Sequence, residues 1–352
     1  MDLLVLNTDL EVIAVLDTFE SLIWTERYCG YGDFEIYTKA SEELLNILRE
    51  DYYLWLRDSK YVMVIEDLNI KFDVDIGNNI VITGRSAESI LDRRIIWVQT
   101  VLSGSLQNGI QKLLDENFIS PTLPDRVIPN FIFEASDDPI VTALTVDAQF
   151  TRTNLYDSTK KLCVANNLGF KVTLSDDNHL VFKLYSGTDR SYDQILNTYV
   201  VFSQKFENII NSNYFESKKT LKTITVVAGE GEGADRKTTI VGGGTALSRR
   251  ELYTDARDLS QTVDEVLIPE ADYLAQLAQR GIEDLSEHVF EKSFDGQVDT
   301  TRMFEYGVDF FLGDIVQIVS EYGIASKAQI TEIIRSQSTT GIEVYPTFIM
   351  IE

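Results

Sequence analysis

Two segments near opposite ends of the chain follow one plan. Residues 52–70 read YYLWLRDSKYVMVIEDLNI: a short strand, a polar turn at Asp58-Ser59-Lys60, then a longer strand carrying an acid. Residues 314–336, DIVQIVSEYGIASKAQITEIIRS, repeat that order. Glu66 and Glu332 occupy similar places, and each segment is followed by a turn and one more strand. A chain built this way is constrained to be β-rich at both ends, and the pattern suggests an internal duplication. Strand alternation by itself makes β segments look alike, so a shared strand order is the deciding criterion.

The rest of the first hundred residues agrees. Leu3 to Leu6 and Glu11 to Leu16 are short apolar runs separated by the turn cluster Asn7-Thr8-Asp9. Phe34 and Ile36 alternate with Asp33 and Glu35, the period-2 signal of a half-buried strand. Ser41 caps a short helix that carries Leu44, Leu45 and Leu48. Strand, turn and strand in succession indicate a sandwich or barrel. Near Ser86 the texture changes. SAESILDRRI and SLQNGIQKLLDENF read as helices, the second capped by Ser105, with Leu106, Ile110, Leu113 and Leu114 as its stripe. NLYDSTKKLCVANNLG reads as a helix ended by Gly169. A hairpin follows, in which Phe170, Val172 and Leu174 alternate with Lys171 and Thr173 and the chain reverses at Asp176-Asp177-Asn178. Long strands return from Asn197, then a helical acidic stretch with Tyr273, Leu274, Leu277 and Ala278 at helical spacing, then strands to the end.

One stretch invites a phosphate-binding reading. VVAGEGEGADRKT, Val226 to Thr238, alternates Gly229, Gly231 and Gly233 with Glu230 and Glu232. A phosphate loop of the Walker type needs Gly-Lys-Ser/Thr opening a helix. Here Ala234-Asp235-Arg236 precede Lys237, β-branched residues follow, and the two glutamates would point negative charge into any phosphate nest. The better reading is a long hairpin, Thr223 to Ala228 up and Lys237 to Val241 down, with glycines supplying the backbone freedom at its tip.

Other chemistry is thinly represented. The two histidines, His179 and His288, show no zinc-ligand spacing. Cys29 and Cys163 form no CxxC and read as reduced, space-filling thiols. Acid pairs such as Asp137-Asp138 and Asp176-Asp177 are expected by chance among 56 acids and read as solvated turns. DVDIGNN at Asp73 begins like a calcium loop, but Gly84 stands where the bidentate glutamate belongs. No catalytic, cofactor-binding or metal-ligating residue is assigned, and no cofactor.

The 56 acids oppose 31 basic residues, a formal net charge of -25. Such a surface repels phosphate, which argues against tight nucleic-acid binding and suits a wall that DNA passes without adhering. No apolar run approaches the roughly 20 residues of a membrane span. Met1-Asp2-Leu3-Leu4 carries an acid where a secretory signal has base, so synthesis in a cytoplasm without export by that route is expected.

A set of strings, in order, carries a family resemblance: YGDFEIYTKAS, YVMVIEDLNI, ITGRSAESILDRRII, LYSGTDRS, VVAGEGEGADR, FFLGDIVQI, and the late ITEIIRS with PTF. Together they resemble the hub proteins of siphophage tail tips, relatives of the baseplate hub of contractile phages and of the N-terminal module of tail-associated lysins. The resemblance implies a β-rich α+β fold with two tube-like antiparallel β-barrel domains and two smaller α/β domains. On this sequence it implies a first tube-like domain at 1–103, an α+β domain at 104–196, a second tube-like domain at 197–254 and 296–352, and a small helical insertion at 255–295. It also implies a non-enzymatic homotrimer, a ring joining tail tube to tip and lining the channel for DNA and the tape-measure protein. The partners it implies are the distal tail protein, the tail tube and fibre or receptor-binding proteins, in the virion, with no stable membrane association. The sequence reaches Glu352 on a strand, and no appended peptidase is expected. The alternatives are a carbohydrate-active enzyme, needing two acids roughly 5–9.5 Å apart in an aromatic cleft, or a receptor-binding module for host-surface sugars.

Overall fold

A computed structural model describes residues 2–57, 59–74, 77–233, 236–263, 265–298, 303–319, 325–339 and 341–351. Parts of the turns read at Asp58, at Asp75, at Ala234-Asp235 and at 320–324, and the terminal Glu352, lie outside them.

The first strands are β1 (Leu3–Leu6), β2 (Val12–Leu16), β3 (Ser21–Arg27) and β4 (Asp33–Lys39). Helix α1 (Glu42–Ile47) follows, capped by the Ser41 side chain at the Leu44 amide, then β5 (Tyr53–Leu56), β6 (Val62–Asp73) and β7 (Gly77–Ser86). In β4 the alternation is realised literally: Phe34, Ile36 and Thr38 are buried while Glu35 and Lys39 face solvent. β6 is buried on both faces over its first half. Met63 and Ile65 enter one core, while Val62 and Val64 enter a second. That explains its nearly continuous apolar run, because neither face there meets water.

The middle of the chain builds the second core. Its elements are a 3-10 segment (Ala87–Arg93), β8 (Thr100–Ser105), α2 (Leu106–Leu114), β9 (Phe131–Glu134), α3 (Pro139–Ala143), β10 (Thr145–Phe150), α4 (Leu155–Ala165), β11 (Gly169–Leu174) and β12 (Leu180–Tyr185). Ser105 caps α2 as its sequence position suggests, and Leu106, Ile110, Leu113 and Leu114 are all fully buried. Gly169 does not end α4. Asn167 takes the left-handed turn there, at φ 51°, and Gly169 opens β11. Glycine is needed at 169 for space: a Cβ would lie 2.4 Å from the Tyr28 ring.

Downstream come β13 (Val201–Ser203), β14 (Ile209–Ser217), β15 (Ile224–Ala228), β16 (Thr238–Gly242), β17 (Glu251–Asp255), the two-residue pair β18 (Thr262–Val263) and β19 (Val266–Leu267), and α5 (Glu270–Ser286). The chain ends with β20 (Glu291–Val298), β21 (Ile315–Val319), β22 (Ala325–Ser338) and β23 (Gly341–Ile351). The sequence reading put 197–254 in a tube-like domain and the helix in a separate insertion. In the structure β15, β16 and β17 form a sheet of their own, order β16-β15-β17, and share a small core with α5 made by Val227, Ala256, Leu259, Tyr273 and Leu277.

Most remaining strands join one sheet in the order β14-β20-β23-β22-β3-β4-β7-β6-β5-β1-β2, with β21 on the first part of β22 and β13 parallel to β21. The fold is thus β-rich α+β with mostly antiparallel pairing. Among the described residues the sheet is open and continuous from one end of the chain to the other, and a single core runs under both halves.

Candidate assembly surface

The large sheet contains one five-strand arrangement twice. In the first half the spatial order is β3-β4-β7-β6-β5, and in the second it is β14-β20-β23-β22-β21. Each set, numbered along the chain, runs first, second, fifth, fourth, third, and all these pairs are antiparallel. The two long hairpins even slip register at the same point. β6 and β7 pair Ile65 with Gly84 and then Asp67 with Thr83, leaving Glu66 as the extra residue of a bulge. β22 and β23 pair Ile330 with Phe348 and then Glu332 with Thr347, leaving Thr331 as the extra residue. The counterpart of Glu332 is therefore Asp67, and Glu66 matches Thr331. The sequence comparison, which placed Glu66 with Glu332, is off by one. A bulge changes which residue points to which face, and no composition signal marks it.

The two halves meet where β22 pairs antiparallel with β3, from Glu332 opposite Arg27 to Ser338 opposite Ser21. Arg27 fixes this seam. Its Nε donates to Glu332 at 2.6 Å and its Nη1 to Asp33 at 2.6 Å. Behind it lies a buried polar knot. The carboxylate of Glu26, 1% exposed, accepts from Trp24 Nε1 at 3.2 Å, from Ser59 Oγ at 2.7 Å and from the Tyr306 hydroxyl at 2.6 Å. The Arg335 guanidinium stands 3.5 Å from Glu26 and lies over the Tyr306 ring. A buried carboxylate is costly unless its lone pairs are met in this way.

A cleft of about 360 Å³ opens beside this knot, lined in part by Lys60, Tyr61, Lys171, Tyr185 and Asp314. Burial pushes the Tyr61 and Tyr185 hydroxyls well above their ordinary range, so both stay protonated, 3.3 Å apart. The cleft's two acids are both committed. Glu26 is tied as above, and Asp314 binds Arg190 at 2.7 Å while accepting the Thr188 and Phe311 amides at 2.8 and 3.0 Å. Paired glycosidase carboxylates must face a substrate bond; these face the protein's own donors.

The glycine stretch is the expected hairpin: β15 pairs with β16 from Ile224–Gly242 to Ala228–Thr238. Gly231 and Gly233 have positive φ, 107° and 55°. The hairpin is held back against its own unit. The Glu230 amide donates to the Tyr273 hydroxyl at 2.8 Å, and Arg236 donates to the carbonyls of Ala228 and Gly229. Glu230 accepts the Gln261 amide at 2.9 Å.

His179 lies in the β11–β12 turn, and His288 follows α5 with Nδ1 2.8 Å from the Asp284 carbonyl. Cys163 is fully buried in the second core, and burial pushes its thiol well up; Cys29 packs against the same core. Asp138 caps α3 at the Ile140 amide, and Asp177 accepts from the Ser175 hydroxyl in its turn. Asp73 ends β6, and Gly84 sits mid-strand in β7, where a Cβ would meet the Val64 carbonyl oxygen at 1.9 Å. Among the described residues no group of three or more His, Cys, Asp and Glu side chains is placed to hold a metal ion, and no helix is long and apolar enough to cross a membrane.

Two sheet edges were not singled out in the sequence. Among the described residues, β14 has a strand on one side only, and the second half of β6, residues 67–73, pairs with β7 but extends beyond the end of β5. Both carry exposed apolar side chains, among them Ile70, Phe72, Tyr214 and Phe215. The available signal was the excess length of β6 over β5, legible only once the pairing partner is known.

A family model described as Siphovirus ReqiPepy6 Gp37-like protein matches residues 2–348. Three solved structures are similar in fold over 99% of this chain. The tail protein from Neisseria meningitidis MC58 is 13% identical, with 96% of its chain covered and a TM-score of 0.58. The prophage MuSo2 43 kDa tail protein from Shewanella oneidensis is 10% identical, with 97% covered and a TM-score of 0.57. The prophage tail protein gp18 from Listeria monocytogenes EGD-e is 15% identical, with 94% covered and a TM-score of 0.55. No curated protein matches the chain.

Proposed function

The chain belongs to the Siphovirus ReqiPepy6 Gp37-like family, and on that premise we propose that it is a structural, non-enzymatic hub of a phage tail tip. Three copies form a ring that joins the tail tube to the tip and surrounds the path of DNA and the tape-measure protein. The observation that carries this reading is the duplicated five-strand unit within one sheet. Two like units per chain, three chains to a ring, present six similar faces to a six-fold tube. Each half corresponds to one tube-like unit, the first built on β1 to β7 and the second on β13, β14 and β20 to β23. The middle unit from 87 to 185 and the small unit built on β15 to β17 with α5 decorate that ring. A net charge of -25 on each copy keeps DNA from adhering to it. The partners are the distal tail protein, the tail tube, the tape-measure protein and fibre or receptor-binding proteins.

Deleting the gene from the phage tests this. A hub is needed to start the tube, so the expected result is full heads without tails. Complete tails that fail to adsorb would point instead to a receptor-binding module, and complete tails that adsorb but do not breach the wall would point to an enzyme.

A further inference from the structure

We propose that a second copy of this chain lays its β14 antiparallel against residues 67–72 of β6, in the register that β3 and β22 already adopt within one chain. The inference rests on the hub reading above and specifies the contact that would build the ring.

The register follows from the duplication. The paired bulges equate Asp67 with Glu332, so Ile70 matches Arg335 and Lys71 matches Ser336. On the other strand, Phe34 opposite Gly84 equates with Phe294 opposite Phe348, and then Trp24 matches Tyr214 because each faces that phenylalanine. Within the chain, Arg335 pairs with Trp24 and Ser336 with Ile23. Transferred between copies, Ile70 meets Tyr214, Lys71 meets Asn213, and Asp67 meets Ser217.

The chemistry at the two edges fits that placement. Ile70 lies beside buried Ile80, and Tyr214 beside buried Phe294, so each extends a core row that stops one strand early. Joined, the row Ile80–Ile70–Tyr214–Phe294 repeats the internal row Val344–Arg335–Trp24–Phe34. At the internal seam Trp24 is 0% exposed. Its counterpart Tyr214 is 37% exposed, and Ile70 is 52% exposed. The local contacts agree too: Trp24 Nε1 donates to Glu26 two residues on, and the Tyr214 hydroxyl donates to Glu216 two residues on. Open strand edges bearing apolar side chains invite pairing. The edge offered differs from the edge accepted, so the contact is head-to-tail and closes only as a ring.

Lys71→Cys and Asn213→Cys in one chain test the register, since both residues are exposed. Directly opposed antiparallel residues stand about 4.5–5.5 Å apart at Cα, within disulfide reach. A control carrying Lys71→Cys and Phe215→Cys is two residues out of register, with diagonal neighbours roughly 7–8 Å apart. Each protein is oxidised, run on a non-reducing gel, and weighed in solution by light scattering beside the wild type. The expected result is a covalent trimer, about tenfold more abundant for the matched pair than for the shifted pair. A trimeric mass with equal cross-linking by the shifted pair overturns the register and leaves the ring standing. A covalent ladder running past three keeps the strand contact and overturns the closed ring. Cross-linked dimers from Lys71→Cys alone indicate β6 against β6 and overturn the proposal. A monomeric mass without cross-links overturns both it and the trimer.

Discussion

Replacing Glu88 by glutamine is expected to stabilise this protein at alkaline pH and to change it little near pH 5. Glu88 sits in the 3-10 segment after β7 and is completely buried. Its Oε1 accepts the Val172 amide at 2.6 Å, while Oε2 is buried without a hydrogen bond. Burial is the dominant influence on this carboxyl, and it pushes the pKa up to about 7 against an ordinary 4.5. The native state therefore holds the proton more tightly than the unfolded chain. Stability is greatest when the group is protonated in both states, falls as pH rises from 4.5 towards 7, and is flat above that. The cost of ionised Glu88 above pH 7 is on the order of 3 kcal/mol. Glutamine keeps the acceptor for the Val172 amide and cannot ionise. Urea unfolding of both proteins at pH 8.5 and pH 5 reads the difference. The variant should gain about 3 kcal/mol at the higher pH and less than about 1 at the lower. A gap that does not change with pH, or a variant less stable at pH 8.5, would refute the argument.

Three further outcomes follow from the same geometry. Trp24→Ala should cost about 3–5 kcal/mol, since it empties a fully buried site, whereas Tyr214→Ala should cost under about 1 in the monomer and weaken association; thermal melts and light scattering separate the two, and equal melting losses would argue against the matched positions. Gly84→Ala drives a Cβ to 1.9 Å from the Val64 carbonyl oxygen, so a loss of about 3 kcal/mol, the upper end of what overpacking costs, is expected; a variant that melts like wild type would show that β7 can move aside. Association should strengthen with salt, because copies carrying -25 each repel and the proposed seam is backbone and apolar contact; a trimer that dissociates between about 50 and 300 mM salt would mean that ion pairs hold it.

The local elements were legible because their causes are local. Alternation in β4, the Ser41 and Ser105 caps, the β11–β12 hairpin and the glycine-tipped β15–β16 hairpin each depend on residues a few positions apart. The duplicated strand–turn–strand plan was visible for the same reason, and the matching strand orders give it a structural counterpart. The Gly169 helix stop failed because the residue answers to Tyr28, far away in sequence, and not to its own helix. The alignment of the two halves missed by one residue because bulges are defined by a partner strand.

What the sequence determined by itself was the inventory: which stretches extend, which coil into helices, where the chain turns, and how negative it is. Only the tertiary structure decided which strands lie side by side. It placed Arg27 against Glu332, 305 residues apart, gave β15 to β17 to the helix and not to the large sheet, and, among the described residues, left β14 and the end of β6 with a neighbour on one side only. The physical reason is that side-chain periodicity specifies a strand's two faces, while its edges are backbone groups common to every residue, so the choice of neighbour is made by the packing of the whole.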